Sequence, residues 1–173
     1  MVARAQGRFA IRRAEARDSA ALDAFDANIW DLSMTPTDLG PGHQPRFGVT
    51  IPVEDTWIAE DAGQVVGYAV IGRRTTLESN RHVGVLRAIA VAPAQRGTSL
   101  AQELMGAAIA AARERGMRKL CLTVLGSNPR AIAFYKRHGF VVEGTLRDEF
   151  LLRDVYVDDV LMALDLASYA GKG

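Results

Sequence analysis

Two changes of hydrophobic period between residues 82 and 125 constrain this chain more than any other feature. "HVGVLRAIAV" (82–91) reads as a strand. Residues 98–115 then place Leu100, Leu104, Ala108 and Ala111 on one face of a helix, with Arg113 and Arg115 near its negative C-terminal end and Gly116 as its stop. "KLCLTVL" (119–125) is largely apolar and reads as a buried strand. Strand, helix and strand in succession commit the fold to the α/β class.

The flanking segments extend the alternation. "RFAIRR" (8–13) is a short strand with Phe9 and Ile11 on one face. Asp18 caps a helix running to Trp30, with Leu22, Phe25 and Ile29 as its buried stripe. From Asp31 to Pro52 the residues Pro36, Gly40, Pro41, Gly42, Pro45, Gly48 and Pro52 break regular structure, leaving room for a short helix near Thr35–Leu39. Connections of this length are often lids or binding loops. Residues 56–78 form a hairpin turning at Asp61-Ala62-Gly63. Asn128 as N-cap, Pro129 at N1 and Gly139 as stop enclose a second short helix. "FVVEGTLRDEF" and "VYVDDVLMALDL" are the last strands, and "ASYAGKG" is a frayed tail. We expect a mixed, mostly antiparallel twisted sheet with helices on both faces, in one domain over 8–166 with a flexible tail over 167–173.

Composition removes several classes of function. The 173 residues carry a formal net charge of +1, which gives no reason to expect nucleic acid or an anionic membrane as partner. The single cysteine, Cys121, forms no internal disulfide and fits a reducing cytoplasm. "MVARAQGRFAIRR" lacks the apolar stretch of a secretory leader, and no run reaches transmembrane length. We expect a cytoplasmic protein.

The turn "VAPAQRGTSL" (91–100) carries the chemistry. A strand that feeds directly into a helix leaves backbone N–H groups clustered and unpaired, the helix dipole adds partial positive charge, and Arg96 adds a full one. Gly97 allows close approach to the backbone. The result suits a phosphate or pyrophosphate. The competing interpretation is a capping box in which Ser99 and Gln102 satisfy those amides themselves.

"LRAIAVAPAQRGTSLAQELM" followed by "NPRAIAFYKRHGFVVEG" resembles the GNAT superfamily of acetyl-CoA-dependent N-acetyltransferases. Arg96-Gly97-Thr98-Ser99-Leu100-Ala101 lies on that family's phosphate loop, with Ser99 where the family has its central glycine. Asn128, Ala131, Tyr135, Gly139 and Phe140 fill every position of its second signature. The resemblance covers residues 8–166 and implies the GNAT fold, with its two central strands splayed. It implies pantetheine beside Ile89, Ala90 and Val91, pyrophosphate on the amides of Arg96 to Ala101, and the acetyl thioester between the fourth and fifth strands, faced by Asn128 and Tyr135. Asn128 also serves as an N-cap, and Tyr135 also suits an aromatic that holds its helix down.

The implied reaction is direct attack of a neutral amine on the thioester through a tetrahedral oxyanion, with acetyl-CoA as donor and no metal. Tyr135 is the candidate general acid for the leaving thiolate. Relatives often hold a glutamate on the fourth strand as base, but residues 82–91 contain no carboxylate, and His82 is the only classical base there. Glu54, Glu78, Glu143 and Glu149 stay open as alternatives. An α-amine of pKa ~8 is about a tenth neutral at pH 7, against roughly four parts in ten thousand for a lysine at ~10.4. A chain without an obvious strong base therefore suits α-amines.

The C-terminal run, with Glu143-Gly144-Thr145, Tyr156-Val157-Asp158 and Met162-Ala163, resembles the branch that acetylates free amino acids, phosphinothricin or ribosomal-protein N-termini. We expect a small-molecule amine as partner, with Trp30, Met34, Phe47, Glu149, Tyr156 and Asp158 as acceptor-side residues. Trp30, Met34 and Phe47 equally suit the domain's own core, and Asp158 with Asp159 equally suits a solvated edge. A protein N-terminal or lysine acetyltransferase and a non-catalytic acyl-CoA sensor are the alternatives. A homodimer is expected only because relatives often form one.

Overall fold

A computed structural model describes residues 9–37 and 45–169. Seven strands, β1 (Ala10–Arg13), β2 (Thr56–Asp61), β3 (Gln64–Arg73), β4 (Val83–Val91), β5 (Lys119–Leu125), β6 (Val141–Leu152) and β7 (Val155–Asp165), form a sheet of order β1-β2-β3-β4-β5-β7-β6. The helices are α1 (Ser19–Asp26), α2 (Leu100–Glu114) and α3 (Pro129–Arg137). The sheet is mixed and mostly antiparallel; β4 and β5 run parallel, in register Val83↔Lys119, Gly84↔Leu120 and Val85↔Cys121. No helix among the described residues is long and apolar enough to cross a membrane.

The chain gathers into two compact units that interleave in sequence. The first holds β1, α1, β2, nearly all of β3, the second half of β4 and most of α2. Its hairpin β2–β3 turns through Ala62 and Gly63 at φ 49° and 77°, the paired left-handed residues of a two-residue turn that matches strand twist. Leu100 and Leu104 pack against β3 at Gly67, where an added Cβ would sit 2.8 Å from the Ala90 carbonyl oxygen.

α1 ends at Asp26, four residues before the expected Trp30; Asp18 holds the N-cap position as expected, but its side chain makes no capping hydrogen bond. Instead the Asp18 carboxylate accepts from Arg12 at 2.7 and 2.8 Å and from the Glu15 amide at 2.7 Å, closing the 3-10 turn that precedes α1. At the other end Asp23 accepts the amides of Arg46 (2.8 Å) and Phe47 (3.1 Å), while buried Asp26 pairs with Arg46 at 2.9 Å and accepts the Tyr68 hydroxyl. Two carboxylates in the last turn oppose the helix dipole, which favours stopping there. Of the expected short helix, residues 35–37 are irregular, and the remainder lies outside the described residues.

The second unit holds the start of β4, then β5, α3, β6 and β7. Asn128 caps α3, accepting the Ala131 amide at 3.0 Å, and Gly139 follows at φ 88°. A Cβ on Gly139 would meet Leu164 at 3.2 Å and one on Gly126 would meet Asp158 at 3.2 Å, so the turns on either side of α3 approach β7 at Leu164 and Asp158. Strand alternation puts Asp159, Leu161 and Ala163 on the other face. Residues 167–169, expected as the start of a tail, are tied down: Ala167 and Ser168 bond Asp165 at 2.9 and 3.0 Å, and Arg113 donates to the Leu166 and Tyr169 carbonyls.

Candidate active site

The turn between β4 and α2 is built as a cradle of open amides. A 3-10 turn at Pro93–Gln95 leads to Gly97 at φ 86°, a left-handed conformation that glycine alone adopts without strain, and a Cβ there would meet nothing within 4 Å. The competing capping box of Ser99 and Gln102 is absent. Leu100 donates to the Thr98 hydroxyl at 3.3 Å, while the Ser99 hydroxyl turns to Glu103 at 2.6 Å. Among the described residues no group accepts the amides of Gly97, Ser99 or Ala101, and exposed Arg96 has no ion pair. Unpaired donors, a helix dipole and a free guanidinium together suit an anion. Ile89, Ala90 and Val91 lead into this turn, with Ile89 and Val91 half-buried and Ala90 buried. All these residues lie in the first unit.

Asn128, Ala131 and Tyr135 lie on α3 in the second unit. The Asn128 side-chain oxygen is used by the cap, which leaves its amide N–H₂ without a partner among the described residues. Tyr135 keeps part of its surface open, packed against Phe140 (centroids 5.8 Å) and Phe134 (5.6 Å). It nonetheless sits deep enough that desolvation pushes its phenol up to about 12. It is a neutral donor throughout the physiological range. Cys121 is buried, donates to the Gly84 carbonyl at 3.0 Å and has its thiol pushed up by burial, which makes it a poor nucleophile at neutral pH.

His82 is exposed and precedes Val83, at the opposite end of β4 from Ile89–Val91. Its backbone carbonyl accepts the amides of Arg118 and Lys119, and among the described residues its ring has no hydrogen-bond partner. Phe47 is 2% exposed, stacked edge-on against Tyr68 at 5.2 Å, and belongs to the first unit's core. Trp30 and Met34 are half-buried in the second unit. Tyr156 is exposed, Glu149 is exposed on a β6 bulge, and Asp158 accepts the Asp148 amide at 2.9 Å.

One residue outside the expected set stands out. Asp159, beside Asp158, is 8% exposed; desolvation first, then the Glu149 charge, raises its pKa, and the Thr123 hydroxyl opposes them. Adjacent aspartates on a strand point to opposite faces, so burial rather than residue type distinguishes them. Among the described residues no three His, Cys, Asp or Glu side chains converge as a metal site would require.

Comparison with known proteins gives this geometry a context. The family model for the acetyltransferase (GNAT) family matches residues 26–140. An L-methionine sulfoximine/L-methionine sulfone acetyltransferase of Pseudomonas aeruginosa is 32% identical over 123 residues, 68% of this chain and 67% of the relative. The crystal structure of a ribosomal-protein-alanine N-acetyltransferase from Brucella melitensis is 32% identical, with TM-score 0.68 over 90% of this chain and 98% of the other. A phosphinothricin acetyltransferase from Sinorhizobium meliloti in complex with AcCoA shares the fold, with TM-score 0.79 at 19% identity over 96% of this chain and 93% of the other.

Proposed function

The chain belongs to the acetyltransferase (GNAT) family and is an acetyl-CoA-dependent N-acetyltransferase, and we propose that its acceptor is the α-amine of a free amino acid or amino-acid analogue. The observation that carries this reading is the 32% identity to the Pseudomonas aeruginosa enzyme for methionine sulfoximine and sulfone. The non-catalytic sensor is set aside by the same family membership. A second reading, the N-terminal α-amine of a protein, is favoured by the Brucella melitensis structure at equal identity. Comparing kcat/KM for free α-amino acids with that for peptides of the same N-terminal residue separates the two, and a clear preference for peptides overturns the first.

In this reading the open amides around Gly97, Ser99 and Ala101, with Arg96, Thr98 and Leu100, hold the pyrophosphate of acetyl-CoA. Ile89, Ala90 and Val91 line the pantetheine arm. The amine attacks the acetyl carbonyl directly; the single cysteine is buried with a raised thiol pKa, which disfavours an acyl-cysteine route. Tyr135 donates toward the sulfur as the C–S bond breaks. Against a thiol of reference pKa near 8.5, a phenol near 12 gives up its proton at a cost of about 5 kcal/mol. Burial that desolvates the thiolate raises its basicity as well and offsets part of that cost. Tyr135 therefore acts first as a hydrogen-bond donor and completes the transfer only as thiolate forms.

His82 keeps only its residue type as support for a base. Met34, Trp30, Glu149, Tyr156 and Asp158 remain acceptor-side residues in this reading, whereas Phe47 supports the core. A cytoplasmic setting suits an enzyme whose one cysteine is a buried free thiol. A homodimer has its best support on β6 and β7, where Val141, Leu151, Val155 and Tyr156 are all more than half exposed and β6 ends the strand order. Antiparallel pairing of two β6 edges would bring Val141 and Val142 of each copy to Leu151 and Leu152 of the other, a self-complementary contact that light scattering reads directly.

A further inference from the structure

Arg87 is the one charged side chain of β4, set in the run Val-Gly-Val-Leu-Arg-Ala-Ile-Ala-Val. β4 is the fourth of seven strands in the sheet, yet Arg87 is exposed. Two glycines of β3 show which face it occupies. Gly67 and Gly72 are five residues apart, so strand alternation turns them to opposite faces. A Cβ on Gly67 would meet Leu100 and Leu104 of α2, whereas one on Gly72 would meet Arg87 Nε at 3.1 Å and Asp55 Oδ2 at 3.0 Å. Arg87 therefore lies over Gly72 on the face away from α2, and the missing side chain there leaves room for its guanidinium. All of these residues belong to the first unit.

That face is open along the second half of β4. Leu86 and Ala90 are buried, while Ile89 and Val91, which share the face of Arg87 by alternation, are half-buried. The register of β4 with β5 ends at Val85, two residues before Arg87. The phosphate turn follows β4 in the chain. A donor with its pyrophosphate on that turn and its arm running back along Val91, Ala90 and Ile89 directs its thioester toward Arg87, about 7 Å further along the strand. A free α-amino acid carries a carboxylate on the same carbon as its amine. The guanidinium is a planar fork of five donors that matches a carboxylate with two parallel bonds. A single carboxylate such as Asp55 occupies at most two of those donors in such a pairing. Stability gives little reason for the charge, because exposed ion pairs contribute little to it.

We infer that Arg87 binds the α-carboxylate of the acceptor and so restricts transfer to acceptors in which that carboxylate is free. This rests on the α-amine reading above and deepens it. In a protein N-terminus the corresponding carbonyl is part of an amide and carries no charge, so Arg87 selects free amino acids and their analogues over peptides.

The test compares kcat and KM for L-methionine sulfone and for its α-carboxamide, in the wild type, Arg87→Gln and Arg87→Lys, with acetyl-CoA affinity and Tm measured alongside. The wild type is expected to favour the free acid by about 10- to 100-fold in kcat/KM. In Arg87→Gln that preference disappears through a raised KM for the acid, while the carboxamide and acetyl-CoA stay within about twofold of wild type. Arg87→Lys, which keeps the charge and loses the fork, recovers part of the preference. A purely structural pair with Asp55 would instead lower Tm and slow both acceptors alike, and that result overturns the inference. So does a wild type that does not distinguish acid from carboxamide, or a folded Arg87→Gln that still does. Should Arg87→Gln fail to fold, Gly72→Ala decides, since its Cβ crowds the guanidinium: a KM raised for the acid alone supports the assignment, and unchanged KM values refute it. A wild type that transfers to no α-amine overturns the acceptor reading itself, a separate result from an active wild type indifferent to the carboxylate.

Discussion

Tyr135 and Asp18 are ionisable residues pushed in opposite directions. Burial holds the Tyr135 phenol near 12, and a general acid loses activity as pH rises through its pKa. The rate is therefore expected to show no Tyr135 limb below pH 10. Tyr135→Phe is expected to lower kcat by roughly 100-fold while acetyl-CoA affinity stays within about twofold; an unchanged kcat removes the residue as acid. Asp18 runs the other way. The Arg12 guanidinium, bonded at 2.7 and 2.8 Å, holds its carboxyl down to about 2. A depressed carboxylate stabilises the fold above its unfolded pKa near 4, and that stability is lost as pH falls through about 2. With Arg12 about a third exposed, solvent screening trims the contribution to about 1–2 kcal/mol. Urea unfolding of Asp18→Asn should show that deficit at pH 7 and none near pH 2.

Elements whose punctuation is local were legible in the sequence. β5 spans residues 119–125 as expected, and α3 starts at Asn128-Pro129 and stops before Gly139, because alternation, cap and left-handed glycine all act within a few residues. α1 starts after Asp18 as expected, but its end and the use of its acids were not legible because they serve distant partners: Asp18 answers Arg12, while Asp23 and Asp26 hold Arg46 and Phe47 some twenty residues on. No periodicity encodes those bonds. The phosphate-loop motif was legible as a string, yet the use of Ser99 by Glu103 rather than by its own helix amides was not. Asp158 and Asp159 look alike in sequence, and only packing separates the half-buried one, which accepts the Asp148 amide, from the buried one on the opposite face. Where β3, β4 and α2 meet, Gly67 carries a prediction at the scale of elements. A Cβ there would sit 2.8 Å from the Ala90 backbone oxygen and 3.0 Å from Leu104, and the backbone atom cannot yield without moving β4. Gly67→Ala is expected to cost about 1–3 kcal/mol, several degrees in Tm, and to weaken acetyl-CoA binding along Ile89–Val91; an unshifted melting curve would show that β4 yields freely.

For the whole molecule, family membership and the described groups converge on one reaction. The turn offers open amides to an anion, and α3 offers a neutral phenol. In the proposed reading the turn holds the donor's phosphates and Tyr135 donates to the leaving sulfur, a route that requires no covalent enzyme intermediate. The acceptor's identity was the least legible feature, since the residues proposed for it are spread from Trp30 and Met34 to β6 and β7 rather than gathered in one contiguous motif. The most direct measurement is thiol release from acetyl-CoA with L-methionine sulfone as acceptor, coupled to mass spectrometry of the product. Equimolar CoA thiol and Nα-acetylated product are expected. Release no faster than background hydrolysis, both with this acceptor and across free α-amino acids, would contradict the assignment.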